Sequence, residues 1–155
     1  MIAEDSLGKL TEANSTLKNN LKTWITRHKM VTDTVDILNA LIVNLAIHFK
    51  VVADVGYNKF DVLNSCIAAL EDNYNIKFDI GEPLFYGDVF RVLKDVDGVL
   101  DVTEVFAKVK TGGEYSTSNF SIMENLSVDG TSVTLSENQI FEIKFFNKDL
   151  VGTIL

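Results

Sequence analysis

The sequence predicts an α+β fold, a βααβ unit in which two helices pack on one face of a sheet. Residues 40–53 and 99–110 each alternate between apolar and more polar positions, which is typical of strands. Residues 58–96 between them carry two apolar stripes at helical spacing. A turn that contains Gly81 and Pro83 separates these stripes. We also expect an N-terminal helix before this unit and a small β-rich subdomain after it.

The chain begins with a weakly patterned segment, residues 1–13, which we interpret as a tail or linker. An amphipathic helix is predicted next, over residues 14–30, with Asn14 or Ser15 as its N-cap. This helix and the βααβ unit form the first predicted domain, residues 14–110. The apolar face of the helix consists of Leu17, Leu21, Trp24, Ile25 and His28.

Within the βααβ unit, the first strand has apolar side chains at its odd positions, which predicts one fully buried face. Asn58 caps a second helix that reaches about Tyr74, and a third helix extends from Tyr86 to Val96. Gly98 follows it as a C-terminal stop. The odd positions of the strand are Leu41, Val43, Leu45, Ile47, Phe49 and Val51.

Residues 111–155 are richer in Ser, Thr, Asn and Gly, and we predict a separate small β-rich subdomain there. Asp129-Gly130 is a strong signal for a hairpin turn. Short apolar runs around this turn predict strands at residues 132–135, 140–146 and 150–155.

The composition argues against several classes of protein. With 14 Lys and Arg against 22 Asp and Glu, the formal net charge is −8, which disfavours binding to duplex DNA. The single cysteine, Cys66, excludes an internal disulfide and a cysteine-based zinc site within one chain. The longest apolar stretch, residues 40–53, is interrupted by polar residues and is too short for a membrane span. Glu4 and Asp5 lie where a signal peptide would be basic, so none is predicted. Together these observations predict a soluble, mostly intracellular domain without nucleic acid or membrane partners.

The sequence contains no pattern that predicts catalysis. His28 and His48 lack the spacing of metal ligands, and Cys66 lies on the apolar stripe of a predicted helix. Residues 95–98 have a glycine too early for a calcium loop, and residues 110–113 lack the spacing of a phosphate-binding loop. We therefore expect that the protein is not an enzyme and has no catalytic, cofactor-binding or metal-binding residues.

The N-terminal helix differs in charge from the rest of the chain. Residues 13–32 contain four basic and no acidic side chains, so the helix carries +4 and the remainder −12. Residues 71–104 contain nine acidic and three basic residues, a net charge of −6. Either the helix is a core helix with a solvated basic back, or it contacts another chain while its charge meets an acidic surface, as in self-association. The candidate interface residues are Leu17, Lys18, Leu21, Lys22, Trp24, Ile25 and His28.

Several segments, taken in order, resemble a known family. Together they cover about residues 17–152 and resemble the C-terminal part of the baseplate wedge proteins of contractile-tailed bacteriophages, which are related to the baseplate-J family. The segments are Leu17-Lys-Asn-Asn-Leu-Lys-Thr-Trp24, Asp33-Thr-Val-Asp-Ile-Leu-Asn-Ala40, Ile80-Gly-Glu-Pro-Leu-Phe-Tyr-Gly-Asp-Val89, Asp97-Gly-Val-Leu-Asp-Val102, Phe141-Glu-Ile-Lys144 and Asp149-Leu-Val-Gly152.

This resemblance implies a structural role without catalytic residues. The wedge proteins are several times longer than this chain, which therefore corresponds to a fragment or to an unusually short relative. They dimerise and link neighbouring wedges into a ring around the tail hub. The resemblance thus implies a homodimer that contacts other baseplate wedge proteins. It also implies a location in the tail baseplate of the virion, after assembly in the host cytoplasm.

Two hypotheses from other classes stay open. The first is a small carbohydrate- or ligand-binding module on the C-terminal β region, suggested by the polar run Ser116–Asn119 and the aromatic residues Tyr115 and Phe120. The second is a hydrolase that uses acidic residues within positions 95–104.

Overall fold

The computed structural model describes residues 1–30 and 33–155 and has the α+β architecture that the sequence predicts. Four strands form the main sheet, in the order β5-β3-β7 with β8 also paired to β3, and two small sheets pair β1 with β2 and β4 with β6. The elements in chain order are β1 (Ala3–Glu4), β2 (Leu10–Thr11), α1 (Ser15–Thr26), β3 (Leu41–Ala53), α2 (Lys59–Tyr74), β4 (Leu84–Phe85), α3 (Tyr86–Lys94), β5 (Val99–Lys110), β6 (Ser132–Val133), β7 (Gln139–Glu142), α4 (Phe146–Asp149) and β8 (Leu150–Ile154).

β3 is the central strand because it hydrogen-bonds along both of its edges. Residues 44–53 pair antiparallel with β5 on one edge. On the other edge, residues 41–44 pair parallel with β7 and residues 47–51 pair parallel with β8. The predicted alternation is confirmed beyond the first residue, Leu41, which is exposed at the start of the strand. The buried odd-numbered side chains are Val43, Leu45, Ile47, Phe49 and Val51.

α2 and α3 cover the face of the sheet that carries these odd-numbered side chains. The predicted βααβ arrangement is therefore confirmed. Burial raises the pKa of the Cys66 thiol to about 11, and this side chain packs as the small hydrophobic group that the sequence predicts. The helical side chains buried in the shared core are Val62, Cys66, Leu70, Val89 and Leu93.

Residues 1–13, expected as a tail or linker, form a packed hairpin instead. β1 and β2 pair antiparallel, and the Asp5 carboxylate accepts hydrogen bonds from two backbone N–H groups in the turn between them. Leu10 is buried, and the backbone N–H of Ala40 donates to the carbonyl of Met1 at 2.8 Å. Strands of two residues are too short to show the alternation by which a strand is predicted.

Residues 111–155, expected as a separate subdomain, contribute instead to the main sheet and its core. β7 and β8 follow each other along one edge of β3, with α4 between them. Phe141 and Leu150 from these strands are buried in the main core. The Asp129-Gly130 turn lies beside β6, which pairs with β4. Local alternation predicts that such strands exist, but it carries no information about a parallel partner far away in the chain.

Gly152 marks a close approach between β8 and the helical layer. A Cβ atom at this position would lie 2.5 Å from Leu63 Cδ1 and 2.5 Å from Phe49 Cζ. Because both side chains belong to the core, an added methyl group can be accommodated only if a packed residue moves.

We expect Gly152→Ala to lower the free energy of unfolding by about 1–3 kcal/mol, the usual cost of overpacking a core. Urea denaturation followed by circular dichroism measures this change. Gly87→Ala is the matched control, because the described residues leave open space around its added methyl group and alanine favours the α3 helix. Equal stability of Gly152→Ala and the wild type would contradict the packing around β8.

Candidate functional site

α1 lies in the part of the chain between the buried residues Ala13 and Ala40, which we call the excursion. Ala13, before the helix, and Ala40, at the start of β3, are 4% and 3% exposed. The predicted N-cap is confirmed, since Asn14 Oδ1 accepts a hydrogen bond from a backbone N–H of the first turn at 2.8 Å. The helix ends at Thr26, before the predicted end at Met30. Both ends of the excursion are therefore fixed to the body of the protein.

The apolar face of α1 is exposed to solvent. Trp24 is 61% exposed, and Leu17 and Leu21 are 43% and 36% exposed. Ile25 is half-buried, and the Trp24 and His28 rings lie 4.6 Å apart. The interpretation of α1 as a core helix is wrong, because every residue of the helix is half-buried or exposed. Of the predicted interface side chains, Lys18 and Ile25 are half-buried and the other five are exposed: Leu17, Leu21, Lys22, Trp24 and His28.

The basic side chains of α1 follow this apolar face. Lys18 and Lys22 lie about one turn apart, each directly after a leucine of the stripe. Lys22 Nζ is 3.4 Å from the Asp36 carboxylate, an exposed pair that contributes little stability. Among the ion pairs of residues 1–30 and 33–155, none includes Lys18. Lys18, which is half-buried, is therefore the basic side chain of α1 that has no ion-pair partner in the described part of the chain.

The acidic surface expected from residues 71–104 includes a groove between α2 and α3. The groove has a volume of about 420 Å³, a half-buried apolar floor and a rim that carries the exposed carboxylates of Asp72 and Asp95. Neither carboxylate belongs to an ion pair in the part of the chain that the structure describes. The lining residues are Ala69, Asp72, Asn73, Val92, Asp95 and Val96.

A second open site is a polar cleft of about 570 Å³ beside the start of β3. The segment Ser116–Asn119 and Tyr115, singled out by the ligand-binding hypothesis, line this cleft. Phe120 does not, because its ring packs in the core 5.7 Å from the ring of Phe141. The other lining residues are Leu10, Thr11, Glu12, Leu41, Ile42, Asn44, Glu114, Glu142 and Lys144.

Two buried carboxylates hold the wall of this cleft in place. Glu142 accepts hydrogen bonds from a backbone N–H of β2 and from Asn44 Nδ2, both at 2.7 Å. Asn44 Oδ1 accepts in turn from the Ser116 N–H at 2.7 Å. Asp149, which is fully buried, accepts from the Tyr115 hydroxyl at 2.8 Å. Tyr115 is thus held directly by Asp149, and Ser116 is held by Asn44, which Glu142 fixes in turn.

The Tyr115 phenol acts as a stable donor in this arrangement. Burial and the hydrogen bond to Asp149 raise the pKa of Tyr115 to about 12. Sequence reasoning missed both the network of Asn44, Glu142 and Ser116 and the separate pair of Asp149 and Tyr115. The available signal was that Asn44 and Glu142 each interrupt an apolar strand, because a polar side chain buried in a strand needs a hydrogen-bond partner.

The residues weighed for catalysis lie apart from one another. His28 lies in the turn after α1, whereas His48 lies on the face of β3 opposite the helices, with its ring stacked 4.9 Å from that of Phe106. Desolvation, together with the charges of Lys108 and Lys110, lowers the pKa of His48.

The acidic residues considered for a hydrolase lie at the surface. Asp101 and Glu104 face lysines, at 3.2 Å from Lys94 and 2.6 Å from Lys50. Over the described ranges, no group of His, Cys, Asp and Glu side chains is arranged to hold a metal ion.

Comparisons with known proteins were made with the whole chain. No protein-family model and no curated protein matches it. In the described part of the chain, no helix combines the length and the apolar character needed to cross a membrane.

We expect Asn44→Ala to lower the free energy of unfolding by about 1–3 kcal/mol, because it leaves Glu142 Oε2 and the Ser116 N–H without their partner. Urea denaturation measures the loss, and amide hydrogen exchange should show reduced protection at Ser116. Asn119→Ala makes the same chemical change at an exposed position of the same cleft and should leave both quantities unchanged. Unchanged exchange at Ser116 in Asn44→Ala would show that the network does not hold the segment.

Proposed function

We propose that this chain is a structural, non-catalytic component of the tail baseplate wedge of a contractile-tailed phage. In this proposal it associates with a second copy of itself and with other baseplate proteins. It is assembled in the host cytoplasm and resides in the virion. The observation that carries the proposal is the exposed apolar face of α1. The ordered resemblance between residues 17 and 152 and the wedge proteins supports the assignment to the baseplate.

The exposed face of α1 has the chemistry of a protein-binding surface. Burial of apolar surface contributes roughly 25 cal/mol per Å², so Leu17, Leu21 and Trp24 together favour a partner that removes them from water. Tryptophan is among the residues that most often dominate the binding energy of an interface. The lysines beside the stripe favour a partner with acidic surface.

We expect Trp24→Ala to weaken self-association about 30-fold, which corresponds to the ~2 kcal/mol typical of a central aromatic anchor. Light scattering after size exclusion, over a range of micromolar concentrations, measures the dissociation constant. The urea midpoint should stay unchanged because Trp24 is largely exposed. Phe60→Ala, which removes an aromatic ring that is 77% exposed on α2, is the control and should associate like the wild type. A large fall in stability would mean that Trp24 belongs to the fold rather than to an interface.

The assignment to the baseplate has its own test. Mass spectrometry of purified tail particles should detect the chain, and immunogold labelling should locate it at the baseplate end. Tail particles that lack the chain would contradict the assignment, whatever its behaviour as an isolated protein.

The polar cleft supports a second candidate function, the binding of a small carbohydrate. Its wall is the Tyr115–Asn119 segment, which presents hydroxyl and amide groups and one aromatic ring around about 570 Å³. Carbohydrate sites combine such hydrogen-bonding groups with an aromatic surface.

On this second candidate, a glycan array should show binding that Trp24→Ala retains and that Thr117→Ala/Asn119→Ala weakens about tenfold, as expected for two lost hydrogen bonds. Both altered residues line the cleft and are exposed, so the fold should be unaffected. Glycan binding that is insensitive to these changes, or no binding at all, would exclude the cleft as a carbohydrate site.

A further inference from the structure

We propose that the groove between α2 and α3 of a second copy is the docking surface for α1. This inference rests on the self-association in the proposed function and names the surface that receives the helix.

The groove has the chemistry that complements α1. Its floor consists of the half-buried side chains of Ala69, Val92 and Val96, and its rim carries Asp72 on α2 and Asp95, the C-cap of α3. The groove is shallow and open to solvent, with a volume of about 420 Å³. An apolar stripe in an apolar groove is a common mode of helix recognition.

The charges of the two surfaces are opposite and lie beside their apolar parts. Lys18 and Lys22 form a row along one side of the α1 stripe, and α1 has no acidic side chain to oppose them. Asp72 lies on α2 and Asp95 caps the end of α3, and both residues border the groove. Opposite charges at the edge of an apolar contact raise the association rate and fix the register of the helix.

A second copy is the occupant that the structure favours. Within one chain α1 buries none of its described residues, and the excursion that carries it is fixed at Ala13 and Ala40. Asn39 Nδ2 also donates to the Glu12 carboxylate at 3.0 Å, which ties the two ends of the excursion to each other. α1 is thus held at its base with its apolar face turned to solvent, while the groove of the same chain stays open.

Because α1 and the groove are unlike surfaces, the contact joins two different patches. Two copies that exchange α1 helices reciprocally form a closed dimer, whereas a one-way contact repeats into a ring or filament. Both arrangements need the same pair of surfaces, so one charge-exchange experiment tests either of them.

The experiment reverses the charges on each surface separately. The groove variant is Asp72→Lys/Asp95→Lys and the helix variant is Lys18→Glu/Lys22→Glu. Each alone should associate about tenfold or more weakly than the wild type, because like charges then face each other. In an equimolar mixture, each helix meets a groove of opposite charge on the other variant. The mixture should therefore form hetero-oligomers at wild-type concentrations, detected by sedimentation velocity and by a blue shift of Trp24 fluorescence.

The matched control is Glu124→Lys/Glu137→Lys, which changes the net charge equally at exposed positions outside the groove. It should associate like the wild type. Circular dichroism and urea midpoints establish that each variant is folded. Recovery of association in the mixture is a further check of folding, because an unfolded variant could not present its half of the contact.

Each of the other outcomes contradicts either the docking surface, the proposed function or both. A wild type that is monomeric at several hundred micromolar excludes both self-association and this docking surface. Association that the groove variant leaves unchanged excludes the groove, while the proposed function stands. A Trp24 fluorescence shift in a monomer that depends on Asp72 and Asp95 but not on concentration means that α1 docks on its own chain. If the charge-exchange variants behave as expected but the protein is missing from tail particles, the baseplate assignment is excluded and the docking surface stands.

Discussion

The pairing of β3 along both edges is the constraint on which the rest of the molecule depends. Its odd-numbered side chains support α2 and α3, and its even-numbered Asn44 anchors the wall of the polar cleft. Ala40, immediately before β3, fixes one end of the excursion that carries α1. A register shift of one residue would turn the buried side chains to the opposite face and would displace both open sites with them. β3 therefore positions both surfaces proposed for function, and its first residues also line the polar cleft.

The sequence predicts the parts of the fold whose signal is local. β3, α2, α3 and β5 each carry their own apolar period, and Asn14 and Asn58 cap helices as expected. The parallel pairing of β7 and β8 with β3 leaves no such trace, because it is decided by packing between distant segments. This is why residues 111–155 are expected as a separate subdomain although they complete the main sheet.

The candidate site is predictable to a similar extent. The stripe from Leu17 to His28 and the charge of α1 are readable from the sequence, but the same stripe suits a core helix equally well. Only the three-dimensional arrangement shows that Trp24 faces solvent. The sequence also does not predict that Asp72 and Asp95 border one groove, because they are far apart in the chain. The same is true of the hydrogen bonds that join Asn44, Glu142 and Ser116.

Because Cys66 is buried between α2 and the sheet, the reactivity of its thiol reports the separation of α2 from the sheet. The thiolate is the reactive form of cysteine, and a thiol with a pKa of about 11 is almost entirely protonated at neutral pH. An alkylating reagent can reach it only when α2 separates from the sheet, and Cys66 is the single cysteine of the chain. The rate of its modification therefore measures how often the helical layer lifts from β3, in the unaltered protein and without an attached label.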